Sequence, residues 1–339
     1  MTIVAKLSAW VQGQWYDRST PNVLLRPLSA IYSGVVAVRR RAYASGLKPV
    51  TRLPVPVIVV GNLTVGGTGK TPLVIAVTEM LVRAGYRPGI VSRGYGGRRL
   101  AEPMAVGVDS DPREAGDEPL LVARHTGRPV MVFPARVEAA RRLLETTDCD
   151  VIVADDGLQH YALGRDIEIA VVDGARRFGN GACLPAGPLR EPIRRLSCVD
   201  MVVCQGGTPE PGEFAMRLEG DEAVNLQDES RRKPLAEFAA VSCRALAGIG
   251  NPGRFFAHLE AAGLKIEARA FPDHHPFTRE DVWSGSNMPV LMTEKDAVKC
   301  RFFAEPQHWY VPVTARLPAT FENELLTRLK AKRDGQKTA

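Results

Sequence analysis

The sequence has 339 residues, 45% of them hydrophobic, enough for one large domain or two ordinary ones. Its formal net charge is +6, and most of the cations are arginine, which pairs bidentately with phosphates and carboxylates. No zinc-finger spacing, aromatic–basic strand pair or long Lys/Arg tract accompanies that charge, so no nucleic-acid partner is expected; an anionic ligand, an anionic membrane surface and an ordinary solvated surface stay open.

Residues 1–13 lack the basic start, apolar core and small-residue cleavage site of a secretory signal. No stretch reaches the roughly 20 apolar residues of a spanning helix. In segment 27–45, Leu28, Ile31, Tyr32, Val35 and Val36 recur at helical spacing, and Arg39, Arg40 and Arg41 follow. That predicts an amphipathic helix, lying in a membrane interface or packed on a core with a cationic end that suits its dipole. Trp10, Trp15 and Tyr16 upstream tolerate an interface. The six cysteines are scattered without a C-x-x-C pair, against both a zinc site and a disulfide framework.

Val- and Ile-rich runs at 55–60, 88–92, 129–133, 150–154, 167–172 and 201–204 are mostly apolar on both faces, as strands of a buried parallel sheet are. Helices are predicted over 73–84 and 136–146. The expected fold class is α/β: a P-loop, doubly wound, mostly parallel sheet with ligands at the C-terminal strand ends. Composition shifts to Gly, Pro and Glu at 206–212, and 214–226 reads as a linker strand or pair. Further strands are expected at 241–249, 289–293 and 309–313, and a helix over 254–262 after the turn Asn251-Pro252-Gly253. A terminal helix is marked by Phe321, Leu325, Leu326 and Leu329. The expected partition is N-terminal amphipathic helices 1–48, a P-loop domain 49–212, linker strands 213–226 and a smaller α/β domain 227–339.

The strongest signal is Gly61-Asn62-Leu63-Thr64-Val65-Gly66-Gly67-Thr68-Gly69-Lys70-Thr71-Pro72, between a Val-rich strand and a helix. Gly66, Gly67, Thr68 and Gly69 allow backbone N–H groups to turn around an anion at a helix N-terminus. Lys70 is suited to β- and γ-phosphates, and Thr71 to Mg²⁺. Thr64 stands where the usual G-x-x-x-x-G-K-[ST] pattern has its first glycine. The signature lysine of partition-type ATPases is replaced by Val65. The nearest match to a guanine motif, Thr293-Glu294-Lys295-Asp296, lacks the asparagine.

A P-loop enzyme needs a carboxylate on a neighbouring strand to hold Mg²⁺, and Asp155 and Asp156 end an apolar run. His160, shortly after, reads as a structural hydrogen bonder. Two motifs offer groups to orient or deprotonate an acceptor hydroxyl: Gly116-Asp117-Glu118-Pro119, which also suits a helix cap, and Phe271-Pro272-Asp273-His274-His275-Pro276-Phe277.

Together with Ser92-Arg93-Gly94-Tyr95-Gly96, Pro185-Ala186-Gly187-Pro188-Leu189-Arg190-Glu191 and Ala247-Gly248-Ile249-Gly250-Asn251-Pro252, these motifs run in order through most of the chain, which resembles the tetraacyldisaccharide 4′-kinase family. The resemblance implies ATP and Mg²⁺ as cofactors and tetraacyldisaccharide 1-phosphate as lipid substrate, phosphorylated on its 4′-hydroxyl to lipid IVA. It also implies a peripheral location on the cytoplasmic face of the bacterial inner membrane and a reaction between two α/β domains. By the same resemblance, Lys70 neutralises phosphate charge, and Thr71 with Asp155 or Asp156 holds Mg²⁺. Asp117 is the base with His274 as partner, and His275 is the alternative. Glu118, Arg190 and Glu191 line the nucleotide and metal site. Asn62, Arg93 and His275 fall on the substrate side, with Arg93 toward either the 1-phosphate or the nucleotide. The rival readings are a P-loop switch or metallochaperone NTPase, and a cytosolic kinase for a small soluble acceptor.

Overall fold

The computed structural model describes residues 3–98, 100–283, 285 and 287–337. Two helices, α1 (Ile3–Tyr16) and α2 (Arg26–Ala44), precede the first strand. The chain then runs β1 (Val57–Gly61), α3 (Lys70–Arg83), β2 (Pro88–Ser92), β3 (Met104–Val106), α4 (Pro112–Ala115), α5 (Asp117–Thr126), β4 (Val130–Val132), α6 (Arg136–Thr146), β5 (Val151–Asp155), β6 (Ile167–Asp173), β7 (Met201–Gln205) and β8 (Glu213–Glu219). A second group follows: β9 (Glu222–Asn225), β10 (Arg232–Pro234), β11 (Ser242–Ala247), α7 (Pro252–Ala261), β12 (Lys265–Ala270), α8 (Arg279–Val282), β13 (Val290–Thr293), α9 (Glu294–Cys300) and β14 (His308–Val311). The chain ends in β15 (Thr314–Arg316) and α10 (Ala319–Lys337).

The larger sheet has nine strands in the order β15-β8-β7-β6-β1-β5-β2-β4-β3, and only its two edge strands pair antiparallel. Its central strands are buried at every position, which explains their unbroken Val/Ile runs. Side chains alternate across the sheet. Ile58 and Val60 join Leu73 and Leu81 of α3, Leu120 of α5 and Phe321 and Leu325 of α10 in one core. Val57 and Val59 join Ala139 and Leu143 of α6 in the other. The smaller sheet has six strands in the order β10-β9-β14-β13-β11-β12.

The pair expected as linker strands divides between the sheets: β8 joins the larger one and β9 enters the smaller. The end of the chain does not stay with the second unit either. β15 pairs with β8, and Phe321, Leu325 and Leu329 of α10 are fully buried against the larger sheet. The stretch 227–339 is therefore not one unit, because the stripe of α10 fills a core the first unit leaves open. The two connections between the sheets run side by side, so closely that a Cβ on Gly220 would stand 2.4 Å from the Pro312 carbonyl oxygen.

Phe321 is fully buried and meets Phe214 edge-on at 5.4 Å between ring centroids. Phe321→Ala is expected to cost about 3–5 kcal/mol, read as a lower urea midpoint. A loss below about 1 kcal/mol would mean that α10 is not part of that core.

Candidate active site

The loop 62–69 leaves β1 and wraps the N-terminus of α3. Gly66 and Gly69 adopt left-handed backbone conformations, with φ of 107° and 88°, that side chains disfavour. Thr64 is not among the left-handed residues; it is buried and bridges to Leu189, which is why this loop needs no glycine there. Lys70 Nζ lies 3.3 Å from Asn62 Oδ1 and 3.7 Å from Asp156 Oδ1. Asn62 is fully buried, so it holds the lysine from beneath the loop and does not face a substrate, contrary to the expectation for it.

β5 pairs with β1 and carries Asp155 to the same height as Val60. The Asp155 carboxylate is buried; Oδ2 accepts from Ser92 Oγ at 3.3 Å, while Oδ1 has no hydrogen-bond partner among the described residues. Burial, then the nearby Glu118 and Asp156 carboxylates, push its pKa well above the ordinary carboxylate value. Asp156 follows in a left-handed conformation (φ 47°), and Arg190 donates to both its oxygens at 2.9 and 3.0 Å. Burial works against its charge, but Lys70 and Arg190 outweigh that and hold its pKa at about 2.

Arg136 was not anticipated. It opens α6, is buried, and donates to the Asp156 carbonyl at 2.9 Å and the Asp155 carbonyl at 3.4 Å. A cation in the first turn opposes the helix dipole, and that misfit is the signal for it in the sequence. Glu191 is buried and accepts from Gln159 Nε2 at 2.9 Å and from the Tyr161 hydroxyl, so its carboxylate is committed within the wall. His160, facing the same cavity, is kept neutral by burial and by Arg136, Arg165, Arg39 and Arg93, with its pKa lowered to about 4.

The two acceptor-side motifs, 157 residues apart, meet: His274 Nδ1 lies 3.0 and 3.1 Å from the two Asp117 oxygens. Asp117 opens α5 and is buried, and His274 sits at φ 59°. Burial would raise the Asp117 pKa, but the His274 hydrogen bond and the Lys295 charge bring it below the ordinary value. Burial would lower that of His274, and the bond to Asp117 raises it instead. His275 points elsewhere: Nε2 is 2.9 Å from Asp281 Oδ2, and the ring stacks on Phe271 at 4.6 Å. It is therefore not a substrate-side group, because its apolar neighbours turn it into the second unit. Lys295 and Lys299 of α9, both unforeseen, approach the pair from the second unit.

Many of the groups above line a cavity of about 790 Å³, His274 rather than Asp117 facing it. Lys70, Glu118, Asp155, Asp156, Arg190 and His274 form its floor, Arg93 and Tyr95 stand at its side, and Trp15, Tyr16, Tyr32, Val36 and Arg39 of α1 and α2 complete it. A second, largely apolar hollow of about 260 Å³ adjoins the loop between Thr71, Pro72, Ile75 and Leu121 on one side and Ile249 and Phe255 on the other. The units are tied across this region by Arg254 and Asp173, 2.6 Å apart, and by Arg176, which donates to the Gly250 carbonyl at 3.3 Å. Among the described residues no cluster of three or more His, Cys, Asp or Glu forms a metal cage. Mg²⁺ shared with phosphates needs only one or two carboxylates, and the unpartnered Asp155 oxygen suits that role.

The family model for tetraacyldisaccharide-1-P 4′-kinase, LpxK, matches residues 21–330. The chain belongs to this kinase family. It is 52% identical over 323 residues to the tetraacyldisaccharide 4′-kinase of Nitrosococcus oceani, covering 95% of both chains. It is 50% identical to that of Aeromonas hydrophila, covering 95% of this chain and 96% of the relative. Its fold matches a crystal structure of LpxK from Aquifex aeolicus in complex with ATP, with TM-score 0.75 and 27% identity, over 90% of this chain and 98% of that one. Membership in the LpxK family does not favour the alternative of a P-loop switch or metallochaperone NTPase.

One contact in this LpxK-family chain links the second unit directly to the phosphate loop. A Cβ on Gly250 would stand 2.4 Å from the Gly67 amide nitrogen, with rigid backbone on both sides. Gly250→Ala is expected to raise KM for ATP about tenfold, about 1.4 kcal/mol, with little change in melting temperature. An unchanged KM would show that the loop accommodates the methyl group without losing its phosphate contacts.

Proposed function

We propose that the protein is an ATP-dependent kinase that transfers the γ-phosphate to the 4′-hydroxyl of tetraacyldisaccharide 1-phosphate, giving lipid IVA in lipid A biosynthesis. Family membership supports the reaction, and one observation carries the reading: a single cavity joins a phosphate loop, a buried acidic strand end and His274, the partner of buried Asp117, to aromatic side chains of the N-terminal helices.

Lys70 and the loop amides bind the β- and γ-phosphates. Thr71 and Asp155 would hold Mg²⁺, which would supply charge neutralisation at the phosphates; Asp156, gripped by Arg190, orients Lys70. Asp117 accepts the proton of the 4′-hydroxyl as its oxygen bonds to the γ-phosphorus. The β–γ bridging oxygen leaves with ADP. His274 orients Asp117 and stabilises its charge. The apolar hollow beside Thr71 and Pro72 suits a nucleobase. Arg39 and Arg93 suit the 1-phosphate, and Val36, Trp15 and Tyr16 suit the upper parts of acyl chains.

Among the described residues no helix is long and apolar enough to cross a membrane. The helix α2 offers two faces. Ser29 and Tyr32 anchor it by hydrogen bonds to Cys183 and Arg190, while Leu28, Ile31, Val35 and Val38 on a neighbouring face are each more than half exposed. That stripe, with Val23, Leu24 and Leu47 also exposed, is the expected interfacial surface on the cytoplasmic face of the inner membrane. A cytosolic kinase for a small soluble acceptor would have no use for it.

Phosphate transfer from γ-labelled ATP to the purified lipid acceptor, in detergent with Mg²⁺, tests the reaction. Wild type should label the lipid, and Lys70→Ala and Asp117→Ala should each lower turnover by two or more orders of magnitude with the fold intact. ATP hydrolysis without lipid labelling would sink the proposal, and near-normal turnover by Asp117→Ala would remove it as the base. Replacing Leu28, Ile31, Val35 and Val38 with serine should weaken binding to anionic phospholipid vesicles at least about tenfold, since each buried aliphatic contributes roughly 1.5 kcal/mol or more. ATP affinity should hold; unchanged vesicle binding would exclude this stripe as the membrane surface.

A further inference from the structure

We propose that Lys295 is a positioning residue for the phosphoryl transfer, fastening the Asp117–His274 pair to Glu118 across the two sheets. The inference rests on the reading above that Asp117 takes the acceptor proton.

Lys295 lies in the first turn of α9, and little of its side chain is exposed. Its Nζ is 2.8 Å from Glu118 Oε1, 3.2 Å from Asp273 Oδ1 and 3.5 Å from His274 Nε2. An ammonium has three hydrogens to donate, and here they meet three groups: one on α5 of the first unit and two in the loop after β12 of the second. The first turn of α9 is itself fixed. Thr293 Oγ1 accepts from the Asp296 amide at 3.2 Å, and the fully buried Asp296 carboxylate accepts from Thr293 Oγ1 at 2.6 Å and from the Gly248 amide at 2.8 Å. One turn on, Lys299 pairs with Asp296 at 2.8 Å and stands 3.8 Å from Asp117 Oδ2. Glu294 reaches His125 near the far end of α5 at 2.8 Å. The helix α9 is thus docked along α5, and from its first turn the Lys295 side chain reaches Glu118 at the start of α5.

A lysine at a helix N-terminus runs against the dipole, and burial works against its charge as well. The surrounding carboxylates of Glu118, Asp117 and Asp273 outweigh the burial and hold its pKa above the ordinary lysine value. The converse matters more. His274 is faced by Asp117 from α5, by Asp273 beside it, by Lys295 from α9 and by the Tyr95 ring at 4.8 Å, and Lys299 reaches the pair through Asp117. Lys295 is therefore the cation in contact with the imidazole itself. Without it, the carboxylates draw a proton onto His274 more strongly, and Asp117 is bound to an imidazolium and becomes a poorer base.

The test uses the full chain with Lys295→Met and Lys295→Arg. The imidazole titration of His274 is followed by NMR without ATP or lipid, its resonance assigned with His274→Gln. In the methionine variant the His274 midpoint should rise by about half a pH unit or more, and in the arginine variant it should stay near wild type. In phosphate transfer, kcat should fall at least about tenfold for methionine while KM for ATP stays within about twofold, and arginine should restore most of kcat. An unmoved His274 midpoint, or a kcat within about twofold of wild type, overturns the proposal; so does a lowered melting temperature as the sole change. Lys295→Gln, uncharged but of a length that keeps a donor, gives the same reading if the methionine variant does not fold. The titration is independent of the acceptor, so a wild type that fails to label lipid would refute the functional reading and leave the Lys295 result standing on its own.

Discussion

The hydrogen-bond ladder between β1 and β5 sets Val60 beside Asp155, so the phosphate loop and the buried carboxylate leave the sheet at one height. Every other element of the site is arranged around that register. A slip of one residue would turn Asp155 to the opposite face and pull Asp156 away from Lys70. The register is secured by burial on both faces: α3, α5 and α10 cover one, and α6 covers the other. The strands therefore carry no polar side to guide pairing, and their length and flanking helices fix it instead.

The site is locally unfavourable, and the cores around it make it tolerable. Asp155 is a buried carboxyl with one oxygen unpartnered, and Asp156 and His274 are non-glycine residues held at left-handed φ. Each such feature costs roughly 1–3 kcal/mol and persists only where surrounding packing over-determines it. Arg136 and Arg190 clamp the turn that carries the two aspartates, and Asp117 holds His274. Asp156, Asp117 and Glu118 each have a cation close by, whereas Asp155 keeps one oxygen that no donor reaches among the described residues. That exception is what a divalent cation would complete.

Much of this was legible in the sequence, and the rest was not for definable reasons. The central strands announce themselves by unbroken Val/Ile runs, and helix 136–146 agrees with α6 at both ends. The phosphate loop and the Asp155-Asp156 turn are local in the chain, so spacing alone locates them. The meeting of Asp117 with His274 is long-range; the resemblance supplied the pair, and local chemistry left both motifs open. The misreadings of Asn62 and His275 share one cause. Both lie within motifs that reach the site, but sequence does not say which way a side chain points, and these two point into the protein. The return of α10 to the first sheet was hidden because an amphipathic stripe reveals that a core is needed, not which one. Lys295 was passed over because Thr293-Glu294-Lys295-Asp296 was weighed as a failed guanine motif and as a family match, with no role for its lysine.

That return of α10 also orders events in time. The helix that seals the larger core is synthesised after the whole smaller sheet, while α2, with its exposed aliphatic stripe, precedes every strand of the larger one. The whole smaller sheet must leave the ribosome before Phe321 arrives to cover Phe214. At about 5–20 residues per second, the nine-stranded sheet waits many seconds with one face incomplete. During that interval the aliphatic stripe of α2 is already outside the ribosome. Nascent chains of this fold therefore expose the aliphatic stripe of α2 before the larger core closes, and a truncation that spares every residue of the cavity would still deny the larger sheet its final layer.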